Sequence, residues 1–197
     1  MPTAALIAPE AGLLSHLANP LFQTPAHLNE EVAYILSQHY YGECLAAELA
    51  ARAAAGNDEN ISAIWGQTIR SLAGEEAQHA QLLKAFLEKR LGGVRPPSEH
   101  IQPMVEVGLL LPNAAYAFLG VHLVIEPLGV GSLLHLRKHC QDPELAELIS
   151  LLLRDEGKHM GYLALLENAF GPLSRETALE WAKLCITAMR WQSCPHA

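Results

Sequence analysis

A chain of 197 residues, half of them apolar, is long enough for one domain with a substantial core and needs no covalent staples. Its formal charge of −8 argues against a nucleic-acid backbone as the main partner and suits a protein that binds cations. The cysteines, Cys44, Cys140, Cys185 and Cys194, form no Cys-x-x-Cys pair, and Cys44 and Cys185 lie in apolar, helix-like stretches, so they read as buried thiols in a reducing, cytoplasmic compartment.

Residues 1–28 are rich in Pro, Ala and Leu without a sustained period, and Pro2, Pro9 and Glu10 interrupt anything resembling a secretory signal. They read as an extended arm. From Asn29, a plausible N-cap followed by Glu30 and Glu31, the pattern turns helical and continues to Ala55, where Gly56-Asn57-Asp58 ends it. A second helix starts at Asp58 or Asn60 and runs to Leu91, with Gly92-Gly93 as its stop. The short turn makes the two helices antiparallel. Residues 94–112 carry Pro96, Pro97, Pro103 and Pro112, too long a stretch for a tight turn; as a crossover it lets helix three lie parallel to helix two. Helix three, 113–139, has Pro127 inside it, which predicts a kink or bulge beside Glu126. The most membrane-like window, 107–125, contains Pro112, Asn113 and His122, which favours a buried core helix over a membrane span. Asp142-Pro143-Glu144 then supplies an N-cap, a first-turn proline and an acid for helix four, which ends before Gly171-Pro172. An amphipathic segment, 174–191, makes a fifth helix packing across the others. The reading is all-α: an arm (1–28), a four-helix body (29–169) and a C-terminal helix (170–197).

The chemistry is carried by two Glu-x-x-His pairs, Glu76/His79 and Glu156/His159, whose side chains leave one face of each helix. Such pairs arise too easily by chance to carry the argument alone. In an antiparallel hairpin, however, residues equidistant from the turn face each other. The midpoint between Glu43 and Glu76/His79 falls near Asn60, and that between Glu126 and Glu156/His159 near Asp142. Each hairpin therefore brings a lone Glu, in apolar small-residue surroundings, level with a Glu-x-x-His pair. Burying four carboxylates at one level demands cations.

This set, Glu43, Glu76, His79, Glu126, Glu156 and His159, resembles the ferritin-like di-iron carboxylate proteins over roughly 29–169: a Glu followed about thirty residues later by Glu-x-x-His, twice. The resemblance implies a ferritin-like four-helix bundle, with Glu76 and Glu156 shared by two metals and one His and one further carboxylate at each. It also implies that Glu75 and Asp155 hydrogen-bond the histidines from behind, with Arg154 pairing with these acids. Iron suits the ligands, with manganese or a mixed Mn/Fe pair as the alternative. His39 and His122, each four residues before a candidate Glu, are extra ligands or polar partners; His135 and His139 project away and read as solvated. Tyr40, Tyr41 and Tyr162 read as packing tyrosines. Glu48, Glu59, Glu88, Glu144 and Glu147 read as solvated faces. Ala46, Ala47, Ala50, Gly129 and Val130, with Leu72, Ala73, Leu152 and Met160 opposite, would line an apolar cavity; closely packed helices would use the same residues.

The resemblance implies an O2-activating oxidoreductase acting on a small, largely apolar substrate, with electrons from a separate reductase because no Gly-x-Gly-x-x-Gly dinucleotide motif is present. The stretch from Ile125-Glu126-Pro127 to Arg154-Asp155-Glu156-Gly157-Lys158-His159 looks most like the hydroxylase and aldehyde-deformylating members. A ferroxidase or iron-storage protein is the alternative. A tRNA hydroxylase of the same superfamily shares the Gly-Tyr-Leu-Ala after His159, against which stand the acidity and few Arg; a rubrerythrin-like peroxidase would usually carry a Cys-x-x-Cys module. Exposed apolar residues of the arm and fifth helix are compatible with a homodimer.

Overall fold

The computed structural model describes residues 28–55, 63–99, 101–102, 121–122, 126–169 and 183, leaving aside the side chains of 63–65, 128, 160 and 162–169. Within them lie four helices, α1 (Glu30–Ala55), α2 (Ala63–Leu91), α3 (Glu126–His139) and α4 (Pro143–Ala169), and no β-strand. No helix among the described residues is long and apolar enough to cross a membrane. The expected arm (apart from Leu28), the start of helix two, most of the crossover, the first part of helix three and the 174–191 segment (apart from Lys183) lie outside the described residues.

Local chemistry sets the helix ends. Asn29 Oδ1 accepts the Val32 N–H at 3.0 Å and Asp142 Oδ1 the Leu145 N–H at 2.9 Å, so both expected caps satisfy a first-turn donor. At the end of α2, Gly92 and Gly93 take φ of 78° and 117°, which side chains resist, and the Gly93 N–H returns to the Leu87 carbonyl. Val121 and His122 lie in a π-helical turn; the stretch 123–125, where a kink or bulge beside Glu126 was expected, lies outside the described residues.

One apolar cluster joins all four helices, with Val32, Ala33 and Leu36 from α1, Leu83, Phe86 and Leu87 from α2, Leu133 and Leu136 from α3, and Leu145, Ile149 and Leu152 from α4. Contacts along the helices fix their senses. Arg95, just past α2, binds Glu30 at the start of α1 at 2.5 and 2.7 Å, so α1 and α2 are antiparallel. Arg90 at the end of α2 binds Asp142 and Glu144 at the start of α4, while His79 faces Asp155, so α2 and α4 are antiparallel too. Arg137 of α3 reaches Ser150 of α4 across their turn. Helix α3 therefore runs parallel to α2, the sense expected of a crossover. The described beginning of the crossover, residues 94–99, is stitched to α1: buried Ser37 accepts the Arg95 N–H at 2.9 Å, and Gln38 accepts the Ser98 N–H at 2.7 Å.

One expectation is corrected. Cys44 is exposed rather than buried, because it follows the inward Glu43 by one helical step and points away from the core. Glu144 lies on a solvated face as expected, and from there it binds Lys89 at 2.6 Å and also Arg90, tying α4 to α2. Replacing Asp142 with Ala removes both a cap and one partner of Arg90; urea unfolding is expected to show a loss of about 1–2 kcal/mol.

Candidate metal centre

Helix α1 contributes Glu43, α2 contributes Glu76 and His79, α3 begins with Glu126, and α4 contributes Glu156 and His159. The structure brings all six to one level. Glu43, Glu76, His79 and Glu156 each offer one ligand atom within 4.8 Å of the others, and Glu76, Glu126, Glu156 and His159 form a second such group. Glu76 and Glu156 belong to both, the position that carboxylates shared by two ions would occupy. The imidazoles aim the same atom inward: His79 Nδ1 lies 3.5 Å from Glu43, 3.4 Å from Glu76 and 3.5 Å from Glu156, and His159 Nδ1 lies 3.0 Å from Glu76 and 3.4 Å from Glu156.

Behind each ring stands an acid from the opposite helix. His79 Nε2 is 3.5 Å from Asp155 of α4, and His159 Nε2 is 3.1 Å from Glu75 of α2. A proton on Nε2, donated to these acids, leaves Nδ1 bare as a ligand. Asp155 is further held by Lys158 at 2.6 Å and Arg154 at 3.4 Å; burial alone would raise its carboxyl, but Lys158, Arg154 and His79 bring it down to about 2. The pairing with Lys158 was not anticipated, although its i,i+3 spacing from Asp155 was a readable signal.

The polar atoms fit cations. Both oxygens of Glu76 and of Glu126, Glu156 Oε2, His79 Nδ1 and His159 Nδ1 are shielded from solvent and make no hydrogen bond. Groups so placed cost several kcal/mol unless something compensates them. These Glu and His groups could hold metal ions. Without metal, protons do the balancing. Burial disfavours charge on His79, but Glu156, Glu43 and Glu76 outweigh it and push the imidazole up to about 12; Glu156 and Glu76 likewise push His159 to about 11. Burial also acts against ionised Glu76 and Glu156, yet the two imidazoles hold both below the usual carboxylate range. Glu43 is raised well above that range by burial, and Glu126, also by burial, to about 7. Two divalent ions would balance all four carboxylates in place of these protons.

The extra histidines behave differently. His39 Nε2 lies 2.6 Å from Ser132 Oγ, which donates its own hydrogen to the Gly129 carbonyl at 2.9 Å, so the imidazole must be the donor to Ser132. Burial lowers His39 to about 4. A Cβ on residue 129 would sit 3.2 Å from His39 Cε1, so Gly129 gives its space to this ring. His122, wholly buried, instead contacts Glu126 and lies 3.8 Å from Glu76. His135 and His139 pair with each other, ring centroids 4.6 Å apart, and Tyr40 meets Tyr41 edge-on at 5.2 Å. Ala46, Leu72 and Leu152, one turn from the carboxylates, and Ala50, two turns from Glu43, are buried. The side chains of Met160 and Tyr162 lie outside the described residues.

Compared with protein-family models, with curated proteins and with solved structures, the chain matches none.

The charge balance makes metal uptake a proton exchange. Loading two divalent ions at pH 6 is expected to release about four protons, two from the imidazoles and two from the Glu43 and Glu126 region, as read in a weakly buffered indicator titration. The metal-free fold has the opposite pH preference. His79 and His159, raised from 6.5 to about 12 and about 11, contribute stability that is complete below pH 6.5 and lost as pH rises through those values. Glu126, raised from 4.5 to about 7, contributes stability complete below 4.5 and gone above 7. Chelator-treated protein is therefore expected to melt lower at pH 9 than at pH 6, by at least about 3 °C in calorimetry.

Proposed function

We propose that this chain is a ferritin-like di-iron carboxylate protein that activates O2 to oxidise or hydroxylate a small, largely apolar organic substrate. The observation that carries the reading is the pair of overlapping ligand groups sharing Glu76 and Glu156, each completed by one terminal carboxylate and one imidazole backed by an acid. Bound iron would supply electrons to O2 from two adjacent centres and offer coordination positions for it.

The chain's own part is ligation, orientation and exclusion of water. Glu43 and Glu126 hold the two ends, and Glu76 and Glu156 lie between them. Asp155 and Glu75 fix the imidazole orientations, with Lys158 and Arg154 keeping Asp155 ionised and able to accept. The buried Leu72 and Leu152, one turn from the shared carboxylates, keep that side of the centre dry. Electrons come from a separate reductase. Two imidazole ligands favour this reading over iron storage, since iron-storage ferritins, by the resemblance, usually have only one. Manganese, alone or with iron, is the alternative metal.

Stepwise addition of ferrous iron in air, followed by desalting, is expected to saturate at about two ions per chain. Uptake far beyond that number would make iron oxidation or storage the function, and no retention would remove the metal reading. His159→Ala and Glu156→Ala are each expected to retain less than about one ion and to lose O2 consumption with added reductant. Full retention and activity in either variant would sink the site assignment.

A further inference from the structure

The two hairpins repeat the same arrangement, which makes their differences informative. Glu43 corresponds to Glu126, Glu76 to Glu156, His79 to His159 and Glu75 to Asp155. His39 and His122 correspond as well, each four residues before its terminal Glu. Equivalent positions, however, do unequal things. His39 spends its Nε2 proton on Ser132, in a chain that ends on the Gly129 carbonyl. His122 directs Nδ1 at Glu126 and, 3.8 Å away, at the shared Glu76; its ring stands nearly perpendicular to that of His159, with centroids 6.4 Å apart. It is wholly buried, and it sits on a π-helical turn, a local widening that re-aims side chains.

Separations of 3.0–3.5 Å between His79 or His159 Nδ1 and the carboxylates are those of donors arranged around a common ion. The 3.8 Å from His122 Nδ1 to Glu76 Oε1 is close to that range, and the same Glu76 oxygen faces His159 at 3.0 Å. We propose that His122 is a ligand of the metal held by Glu126 and His159, so that this position has two nitrogen donors where the Glu43–His79 position has one. The proposal rests on the dinuclear reading above. It makes the two positions chemically unequal: the nitrogen-richer one favours the later metal of the divalent series, so a mixed load places iron beside His122 and manganese beside His79.

The test compares the unsubstituted chain with His122→Phe, which keeps a ring of similar bulk but has no nitrogen, and His122→Gln, which keeps a donor for Glu126. Calorimetric titration of the metal-free protein with Co2+ gives the two binding steps, and the Mössbauer spectrum of anaerobic 57Fe(II)-loaded protein gives the two environments. Wild type is expected to bind two Co2+ in distinguishable steps and to show two iron doublets of equal area. In both variants one step is expected to weaken at least about tenfold, with one doublet shifting and the other unchanged. Unaltered steps and doublets in the variants would overturn the proposal. So would equal weakening of both steps, the mark of a merely structural role, or recovery of wild-type behaviour by Gln, the mark of a hydrogen bond to Glu126 alone. If wild type itself binds neither metal, the dinuclear reading fails first and this inference with it. Circular dichroism of the metal-free variants checks folding; if Phe does not fold, Gln carries the comparison.

Discussion

Four carboxylates and two imidazoles gathered at one height between helices, all buried except the half-buried Glu126, are a standing electrostatic liability, and the surrounding architecture answers it. With protons alone, His79 and His159 carry charge beside ionised Glu76 and Glu156, and burial suppresses ionisation at the two terminal acids. That arrangement still leaves shielded oxygens and ring nitrogens without hydrogen bonds. The apolar layer on one side, from Leu36 and Ile149 to Leu87 and Leu133, supplies the stability that lets such a cluster persist. Polar clamps at the same end, Arg90 on Asp142 and Glu144 and Arg95 on Glu30, hold the helices in the register that keeps the acids level.

Much of this was legible in the residue order, for identifiable reasons. Helical phase alone places Glu76 with His79 and Glu156 with His159, and equal distance from a turn brings Glu43 and Glu126 level with them. Asn29, Asp142 and Gly92-Gly93 mark helix ends through local chemistry that does not depend on distant partners. The acids preceding Glu76 and Glu156, Glu75 and Asp155, stand behind the histidines; that each reaches the histidine of the other hairpin is a feature only the structure shows.

What escaped the sequence depends on rotation between helices. Phase along one helix treats His39 and His122 alike, but α1 is turned so that His39 meets Ser132 and the missing side chain of Gly129, whereas His122 meets Glu126. Gly129, read as lining a cavity, instead admits a ring. Cys44 was assigned by the apolar character of its stretch, although its neighbour Glu43 is the residue facing inward; an inward side chain commits the next position to the outside. Glu144 does lie on a solvated face, but its partners there, Lys89 and Arg90, come from a helix distant in sequence and do not show in the local pattern.

The way the ligand groups are divided between hairpins has a further consequence. Each group takes three residues from its own hairpin and borrows one carboxylate from the other, Glu156 in the first case and Glu76 in the second. A single hairpin can complete neither. Two identical hairpins related by a twofold axis, however, would complete both, because each could lend what the other lacks. The chain thus has the logic of a dimer tethered into one polypeptide. Tethering frees corresponding positions to diverge, and the different fates of His39 and His122 are such a divergence, one that a symmetric pair of separate hairpins could not have made.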